Sequence, residues 1–436
     1  MKQTSFQTFI LFWLTQSISQ LGSAMTAFAL TIWAYTQTNS AMAVSLMAFC
    51  TYIPYVLVSV LSGSLIDRHK KKSIMAVSDS VAAVCTVVVM ILYMTNNLQL
   101  WQIYVINSVL GLMNAFQSPA QSVAVGILVP EEKMAKASGM DSFSTNLVTV
   151  ISPMAASAIY GILGMGAVLL IDLASFVIAF MTLILKIQIP EHGRNEQKRT
   201  KEKGKKRLFT GYREGMQFCK QNQGLWHIII TMAVINFFSR LTYENILSPM
   251  LLARSGNNTM TLSLVTSILG LGGVLGGILI TLTKKQRNPV KMMYFSAAIS
   301  FLLGDLLMGV GQNTAIWCIA ALAASIPIPY IVAGQRVIMY RLIPKEIQGR
   351  IFSVRNAIQF STIPFGIVLG GFLADYVFEP WMKSGSKVTI LLGQLVGTGN
   401  GSGMAVMFLC TGILGSVSSI LAYRKKEVQQ LAKEDF

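Results

Sequence analysis

The chain contains a succession of apolar stretches, each about 20 residues long. A helix rising about 1.5 Å per residue needs about that length to cross the roughly 30 Å hydrocarbon core of a bilayer. Lipid offers no partners to backbone polar groups, so such segments are expected to be helices. Because 53% of the 436 residues are hydrophobic and only 12% are charged, an ordinary soluble protein is excluded. The pattern predicts an all-α membrane protein with about twelve transmembrane helices.

The predicted spans form two sets of six. The first set comprises residues 8–34, 43–66, 74–94, 100–126, 139–163 and 166–187. The second set comprises residues 225–252, 260–283, 290–311, 314–341, 350–377 and 404–423. We therefore predict an N-terminal six-helix bundle in 1–187, a cytoplasmic basic linker in 188–224 and a C-terminal six-helix bundle in 225–436. The linker sequence predicts a solvated tether, since its core has no apolar residue to bury.

Lysines and arginines are distributed unevenly among the loops. If both termini are cytoplasmic, 30 of the 35 Lys and Arg lie on the inner side, while Arg254, Lys383 and Lys387 lie outside. Positive charge accumulates in cytoplasmic loops. The net charge of +17 therefore reflects topology and does not indicate nucleic acid as a partner. We expect a multi-pass protein of the cell inner (plasma) membrane with both termini in the cytoplasm.

The ends of spans four and ten carry related sequence. Identical residues recur at an offset of 214 positions: Gln121 with Gln335, Leu128 with Leu342, Pro130 with Pro344 and Glu132 with Glu346. Each pair lies where a helix enters a short inner loop, which favours duplication over chance. Internal repeats of this kind are typical of secondary transporters.

The junction of spans two and three reads GSLIDRHKKK. Gly63 permits close approach of a neighbouring helix, and Asp67 can accept hydrogen bonds at the membrane edge. Together with Arg68 and Lys71, these residues are a candidate conformational latch, although an ordinary basic loop would also explain the cations. The pattern resembles the major facilitator signature G-x-L-a-D-r-x-G-r-r/k.

Three further segments resemble the macrolide-efflux-type branch of that superfamily, which has siderophore exporters as relatives: LVPEEKMAKASG, QSPA and LVGTGNGSGMAVMF. The resemblance implies the major facilitator fold, with two pseudo-symmetric six-helix bundles. It also implies export of an amphiphilic, drug-like or macrolide-like small molecule by proton antiport, and we expect a monomer with the substrate, protons and the lipid bilayer as partners. Two departures occur: span four lacks the arginine of many drug antiporters, and span five reads ISPMAAS instead of G-P-x-x-G-G. Pro153 in that segment and Pro364 in span eleven are predicted helix kinks.

Ionisable residues inside apolar spans usually mark function. Arg240 and Glu244 lie near mid-depth of span seven, and their i, i+4 spacing puts them on one face that Asn236 extends. We interpret Glu244 as a proton acceptor that responds to Arg240 and to substrate; a static ion pair is the alternative. Asp141 is a competing proton site, although it begins span five, where a helix amino terminus favours a carboxylate for structural reasons. The other ionisable residues of the spans lie nearer their ends: Asp79, Asp172, Asp305, Asp375 and Arg336.

Uncharged polar and aromatic residues complete the predicted cavity wall. The polar side chains share helix faces by their spacing and suit interhelical hydrogen bonds of about 0.6–2 kcal/mol equally well, whereas helix packing is the alternative for the aromatic Tyr243. The candidates are Gln16, Gln20, Asn107, Asn114, Gln117 and Tyr243.

Other classes of function have little support in the sequence. The chain has no GxxxxGK[ST] phosphate loop, and its five cysteines and three histidines form no metal-binding pattern. We therefore expect no cofactor, no metal site and no enzyme activity. The alternatives are export of a siderophore or other metabolite and, from different classes, a membrane-embedded enzyme or a channel or scramblase.

Overall fold

The computed structural model describes residues 6–68, 70–187, 204–282, 288–344 and 347–433. Within these ranges it leaves out the side chains of residues 59–68, 131, 134–135, 138, 142, 204–212, 348–350 and 353. The chain divides into two compact units, which we call the first unit (Met1–His192 with Asn257–Ser267) and the second unit (Gly193–Gly256 with Ile268–Phe436). The boundaries predicted at residues 187 and 224 stay a prediction.

The first unit is built from five long helices. They are α1 (Phe6–Thr38), α2 (Ala41–Arg68), α3 (Lys71–Met94), α4 (Leu100–Leu128) and α5 (Met134–Leu185), with a 3₁₀ turn at Glu131–Lys133. Helix α1 packs along α5, and α2 packs along α4. Their shared core includes Leu30, Met47, Val89 and Ile103, which are buried against one another.

Helix α5 contains the predicted break between spans five and six. Gly164 has φ +78° and ψ 177°, so two helical segments meet there. The left-handed φ suits glycine, which has no Cβ to clash with its own backbone. Pro153 and Pro364 lie inside helices without a non-helical residue next to them, and their kinks stay predictions.

The second unit contains more and shorter helices. They are α6 (Gly204–Gln221), α7 (Gln223–Thr242), α8 (Leu247–Arg254), α9 (Thr259–Leu282), α10 (Pro289–Ile299), α11 (Leu306–Val310), α12 (Thr314–Ser325), α13 (Ile328–Leu342), α14 (Gln348–Phe372), α15 (Glu379–Met382), α16 (Lys387–Val396), α17 (Ser402–Tyr423) and α18 (Lys426–Lys433). Helix α9 begins at residues grouped with the first unit. Two π-helical segments, Ser300–Asp305 and Leu373–Phe378, continue α10 into α11 and α14 into α15.

Helix α6 shows that the segment predicted as a solvated linker is not exposed throughout. It ends in an apolar group, since Cys219 is fully buried with Leu225, Ile229 and Met339. Met216 and Phe218 pack against the same group. Because charged residues dominate the preceding sequence, the short apolar face at the end of α6 gave no recognisable signal.

Helix α18 was also not predicted. Val428 and Leu431 are buried against Ile228 and Val290 at the base of the second unit. The Asn288 side-chain amide donates a 2.6 Å hydrogen bond to the Ala432 carbonyl oxygen, which holds the last turn of the helix.

The segment before α17 is a glycine-rich connection that follows the unpredicted helix α16. Gly397, Gly399 and Gly401 all have positive φ. The Arg254 guanidinium donates hydrogen bonds to the Val396 carbonyl oxygen and, at 3.1 Å, to the Gly309 carbonyl oxygen. Arg254, the last residue of α8, thus bonds to carbonyl oxygens near the ends of α11 and α16 and ties the ends of the three helices together.

Nine helices among the described residues are long and apolar enough to cross a membrane. One of them, Gly139–Leu185, has 47 residues and breaks at Gly164, so it supplies two crossings. Helices α1 and α4 have 33 and 29 residues, but their Gln, Asn and Ser side chains lower the mean hydropathy. Counting these two, the structure accounts for the twelve predicted spans.

Candidate functional site

Arg240 and Glu244 form an ion pair where the first long helix of the second unit ends. Helix α7 ends at Thr242, residues 243–246 form a turn, and α8 begins at Leu247. The Arg240 Nη1 atom contacts Glu244 Oε1, and the two side chains are 25% and 37% exposed. Asn236, one turn earlier, is half-buried. The predicted shared face therefore exists, and its carboxylate is accessible from outside the helix packing.

Helix α14 holds this part of α7 in place through glycines. A Cβ on Gly366 would lie 3.0 Å from the Phe237 carbonyl oxygen, and a Cβ on Gly370 would overlap the Leu241 carbonyl oxygen. The Asn245 side-chain amide donates a hydrogen bond to the Ile367 carbonyl oxygen. Small residues allow helix backbones to approach closely in membranes. The turn that carries Glu244 is thus fixed by backbone contacts to α14.

Tyr243 points the opposite way from its neighbour Glu244, into the core of the unit. Its ring packs edge-on against Phe408 of α17, with ring centroids 5.3 Å apart. Its buried hydroxyl faces the carboxyl group of Asp305 at the edge of hydrogen-bonding geometry. Tyr243 thus connects the turn to a buried acid, and its predicted role in a cavity wall stays a prediction.

Asp305 is the most deeply buried carboxyl group among the described residues, with 1% of the residue exposed. It ends the π-helical segment, and its Oδ2 atom lies 2.7 Å from Thr411 Oγ1 of α17. No ion pair to Asp305 occurs within the described ranges. A π-helical segment inside an α-helix often marks a functional position.

The first unit contains a matching arrangement around Asp172, which is 5% exposed. Ser23 of α1 donates a 3.0 Å hydrogen bond to Asp172 Oδ1, and Thr86 of α3 donates one of 3.1 Å to Oδ2. A Cβ on Gly22 would lie 3.0 Å from the Asp172 Cα, so α1 approaches α5 closely here. Both carboxyl oxygens of Asp172 are satisfied by hydroxyl groups from other helices.

The two arrangements exchange their residue types between equivalent helices. In the first unit the carboxyl group lies on the sixth span and the threonine on the third, whereas in the second unit Asp305 is on the third and Thr411 on the sixth. The first span of each half supplies an additional hydroxyl group, from Ser23 and Tyr243 respectively. A carboxyl–hydroxyl pair is therefore common to both halves, although no residue identity is.

A second polar cluster of the first unit contains two predicted residues and an acid. The Gln117 side-chain amide of α4 donates a hydrogen bond to Asp79 Oδ1 of α3, and Gln16 of α1 lies beside the same carboxyl group. Asp79 and Gln16 are buried, at 7% and 3% exposed. This cluster joins α1, α3 and α4.

The other predicted residues of the first unit are not brought together with this cluster. Asn107 donates a 3.1 Å hydrogen bond to the Met47 carbonyl oxygen and so ties α4 to α2. Gln20 and Asn114 are exposed. Asp141 is also exposed, and it lies two turns inside α5, which begins at Met134. The expectation that a helix amino terminus holds Asp141 is therefore wrong.

The candidate latch lies largely outside the described side chains. Gly63, Asp67 and Arg68 belong to the end of α2, whose side chains are not described from residue 59 onward. Lys71 is half-buried. Lys72, the last residue of the signature, donates 2.8 Å hydrogen bonds to the Ile184 and Ile187 carbonyl oxygens. A cation at this position stabilises the C-terminal end of α5.

Sequence reasoning named Asp172 and Asp305 among the ionisable residues of the spans but assigned neither a role. Each lies nearer the end of its span than Glu244, and the serine and threonine partners are too common in membrane helices to be recognised by spacing. Among the described residues, no group of three or more His, Cys, Asp or Glu could hold a metal ion.

Comparisons with known proteins agree with this architecture. The chain is 26% identical over 373 residues to the macrolide efflux protein A of Streptococcus pyogenes, with 85% of this chain and 90% of the relative covered. It is 21% identical to the staphyloferrin A transporter of Staphylococcus aureus, with 85% and 88% covered. The crystal structure of a bacterial homologue of the iron transporter ferroportin in an inward-facing state matches with a TM-score of 0.69 at 13% identity, covering 96% of this chain and 99% of the other.

The profile of the Major Facilitator Superfamily matches residues 12–367, most of the chain. The match explains the repeated six-helix pattern, and the relatives are transporters rather than enzymes. The chain is a multi-pass membrane protein that belongs to the major facilitator superfamily.

Proposed function

We propose that this protein exports an amphiphilic, macrolide-like small molecule across the plasma membrane in exchange for protons. The observation that carries the proposal is the match to a macrolide efflux protein over 85% of this chain. The distribution of Lys and Arg supports a cytoplasmic location for both termini. The cycle is alternating access, as expected for a transporter built from repeats.

The Arg240–Glu244 pair supplies a chemical basis for coupling. With Glu244 ionised, Arg240 neutralises it across the turn. A protonated amine on the substrate competes with Arg240 for the Glu244 carboxylate. Protonation of Glu244 removes its negative charge and so weakens its interaction with Arg240 and with the amine. Substrate and proton therefore exclude each other at one group, which is the requirement for antiport. We assign Asn236, one turn before Arg240 on α7, to the wall that contacts the substrate.

Accumulation of radiolabelled erythromycin in everted vesicles with an acidified interior tests this proposal. We expect Glu244→Gln to lose the proton-dependent component, because the amide cannot exchange a proton. Glu132→Gln is the matched control, since Glu132 is an exposed carboxylate in the 3₁₀ turn between α4 and α5. Accumulation by Glu244→Gln at the wild-type rate would refute the assignment, and a selective loss in Asp141→Asn would transfer the role to Asp141.

Export of a siderophore is the second candidate. The similarity to a staphyloferrin A transporter favours it, and an anionic substrate would suit Arg240 and the exposed Arg336. Substrate competition separates the two candidates: inhibition of erythromycin accumulation by an excess of a carboxylate siderophore, and not by lipophilic amines, would favour the siderophore.

A further inference from the structure

Resting on the proposed export function, we propose that Asp305 is a second proton-binding residue, which lies in the core behind the Arg240–Glu244 pair and controls the turn that carries Glu244 through Tyr243. Four observations lead to this inference: the burial of Asp305, the arrangement of hydroxyl groups around it, its contact with Tyr243 and its difference from Asp172.

Burial makes the ionised form of Asp305 costly. Ionising an aspartate that is buried among apolar helices is costly, and one interhelical hydrogen bond offsets only part of that cost. Asp305 has one hydroxyl at hydrogen-bonding distance, and Tyr243 is the titratable group that faces it. Ala324 of α12 packs against Gly304, the residue before Asp305. Gly412 of α17 packs against the Asp305 side chain itself. Both contacts are apolar. A neutral Asp305 therefore fits this conformation.

Thr411 can serve both protonation states. Its Oγ1 atom lies 2.7 Å from Asp305 Oδ2 and 3.2 Å from the Met407 and Phe408 carbonyl oxygens of its own helix. When Asp305 is protonated, it donates to Thr411, which donates to its backbone. When Asp305 is ionised, the threonine hydroxyl rotates and donates to the carboxylate. A hydroxyl has one proton to donate and two lone pairs, so both arrangements are satisfied.

Tyr243 connects this proton to the turn that carries Glu244. Its hydroxyl faces Asp305, while the next residue, Glu244, is paired with Arg240 on the opposite side of the turn. An ionised Asp305 attracts the tyrosine hydroxyl strongly, and a neutral one attracts it weakly. The state of Asp305 thereby alters how firmly residues 243–246 are held in the core.

Asp172 provides the matched comparison, because it is the carboxyl group of the corresponding arrangement in the first unit. Hydroxyl groups from α1 and α3 satisfy both of its oxygens. We assign Asp172 a structural role that joins three helices and takes no part in coupling.

Infrared difference spectroscopy of the full-length protein in liposomes detects a protonated Asp305 carboxyl group, and it needs no transported substrate. We expect a carbonyl band of a protonated carboxylic acid at neutral pH, with intensity lost in Asp305→Asn and kept in Glu132→Gln. Thr411→Val is the second variant, and it is expected to shift the band because the hydrogen-bond partner is removed. A band unchanged in both variants overturns the proposal, whether or not erythromycin is the exported compound.

Transport supplies the second measurement. In proteoliposomes, we expect Asp305→Asn and Tyr243→Phe to lose the pH dependence of erythromycin efflux, whereas Asp172→Asn keeps it. If Asp305→Asn and Tyr243→Phe both keep the wild-type pH dependence of efflux, the role of Asp305 is overturned. An equal loss of pH dependence in Asp172→Asn also overturns this role, because it assigns the effect to helix packing. If wild-type protein does not move erythromycin, the proposed function fails, while the infrared result still decides the proton site.

Discussion

Hydroxyl and amide groups, rather than cations, contact the three deepest carboxyl groups among the described residues. Asp79 is contacted by Gln16 and Gln117, whereas Asp172 and Asp305 are contacted by hydroxyl groups. Each such contact joins two different helices. Buried polar groups therefore tie separate helices together, and the Arg240–Glu244 ion pair is more exposed than any of them.

The thiol of Cys219 gives a prediction at this scale. Burial raises its pKa from 9.0 to about 11, so the reactive thiolate is scarce at neutral pH. We expect maleimide to label Cys219 slowly in native membranes and rapidly after denaturation in detergent. Because the folded-state pKa is raised, the stability from this group is present below about pH 9 and declines toward pH 11. Rapid labelling of the native protein at neutral pH, located at Cys219 by mass spectrometry, would contradict the burial of α6.

The sequence allows prediction of the Arg240–Glu244 contact because both residues lie on one helix, where spacing alone determines proximity. The Asp305–Thr411 and Asp172–Thr86 contacts involve separate helices, and their formation depends on depth and rotation of each helix. Single apolar spans carry little information about either quantity. The same reason explains the error at Asp141. Helix α5 begins seven residues before Asp141, so this residue does not lie at the helix terminus.

The spans themselves are predictable at the scale of the element because they follow hydropathy. Helices α6, α16 and α18 were missed, being short and partly charged. The two π-helical segments were missed as well, because an extra residue in a turn leaves the apolar pattern almost unchanged.

Close packing of α14 on α7 predicts the effect of a small substitution. A Cβ on Gly370 would overlap the Leu241 carbonyl oxygen, so Gly370→Ala should separate the helices and cost about 1–3 kcal/mol of stability. Thermal unfolding in detergent measures the loss. Gly277→Ala in α9 is the matched control, since a Cβ there meets no described atom within 4 Å, and alanine favours a helix. Equal midpoints for the two variants would contradict the packing of α14 on α7.

For the whole molecule, the charge distribution predicts orientation. Lys387 at the start of α16 and Lys426 at the start of α18 are both exposed, and we expect them on opposite sides of the membrane. A membrane-impermeant maleimide should label Lys387→Cys in intact cells and Lys426→Cys only after permeabilisation, compared with the unsubstituted chain. Labelling of both positions in intact cells would contradict the placement of the carboxyl terminus in the cytoplasm.

Helices α1 and α4 are the long helices of the first unit whose polar side chains keep them below the hydropathy of the other spans. A nascent helix of that composition gains little by entering lipid alone. Gln16 of α1 lies beside Asp79 of α3, which emerges from the ribosome later, while Asn107 of α4 bonds to α2, which is already made. We therefore expect the first helix to gain its full stability in the bilayer only after α3 is synthesised, which favours insertion of this half as a group of helices over insertion of one helix at a time.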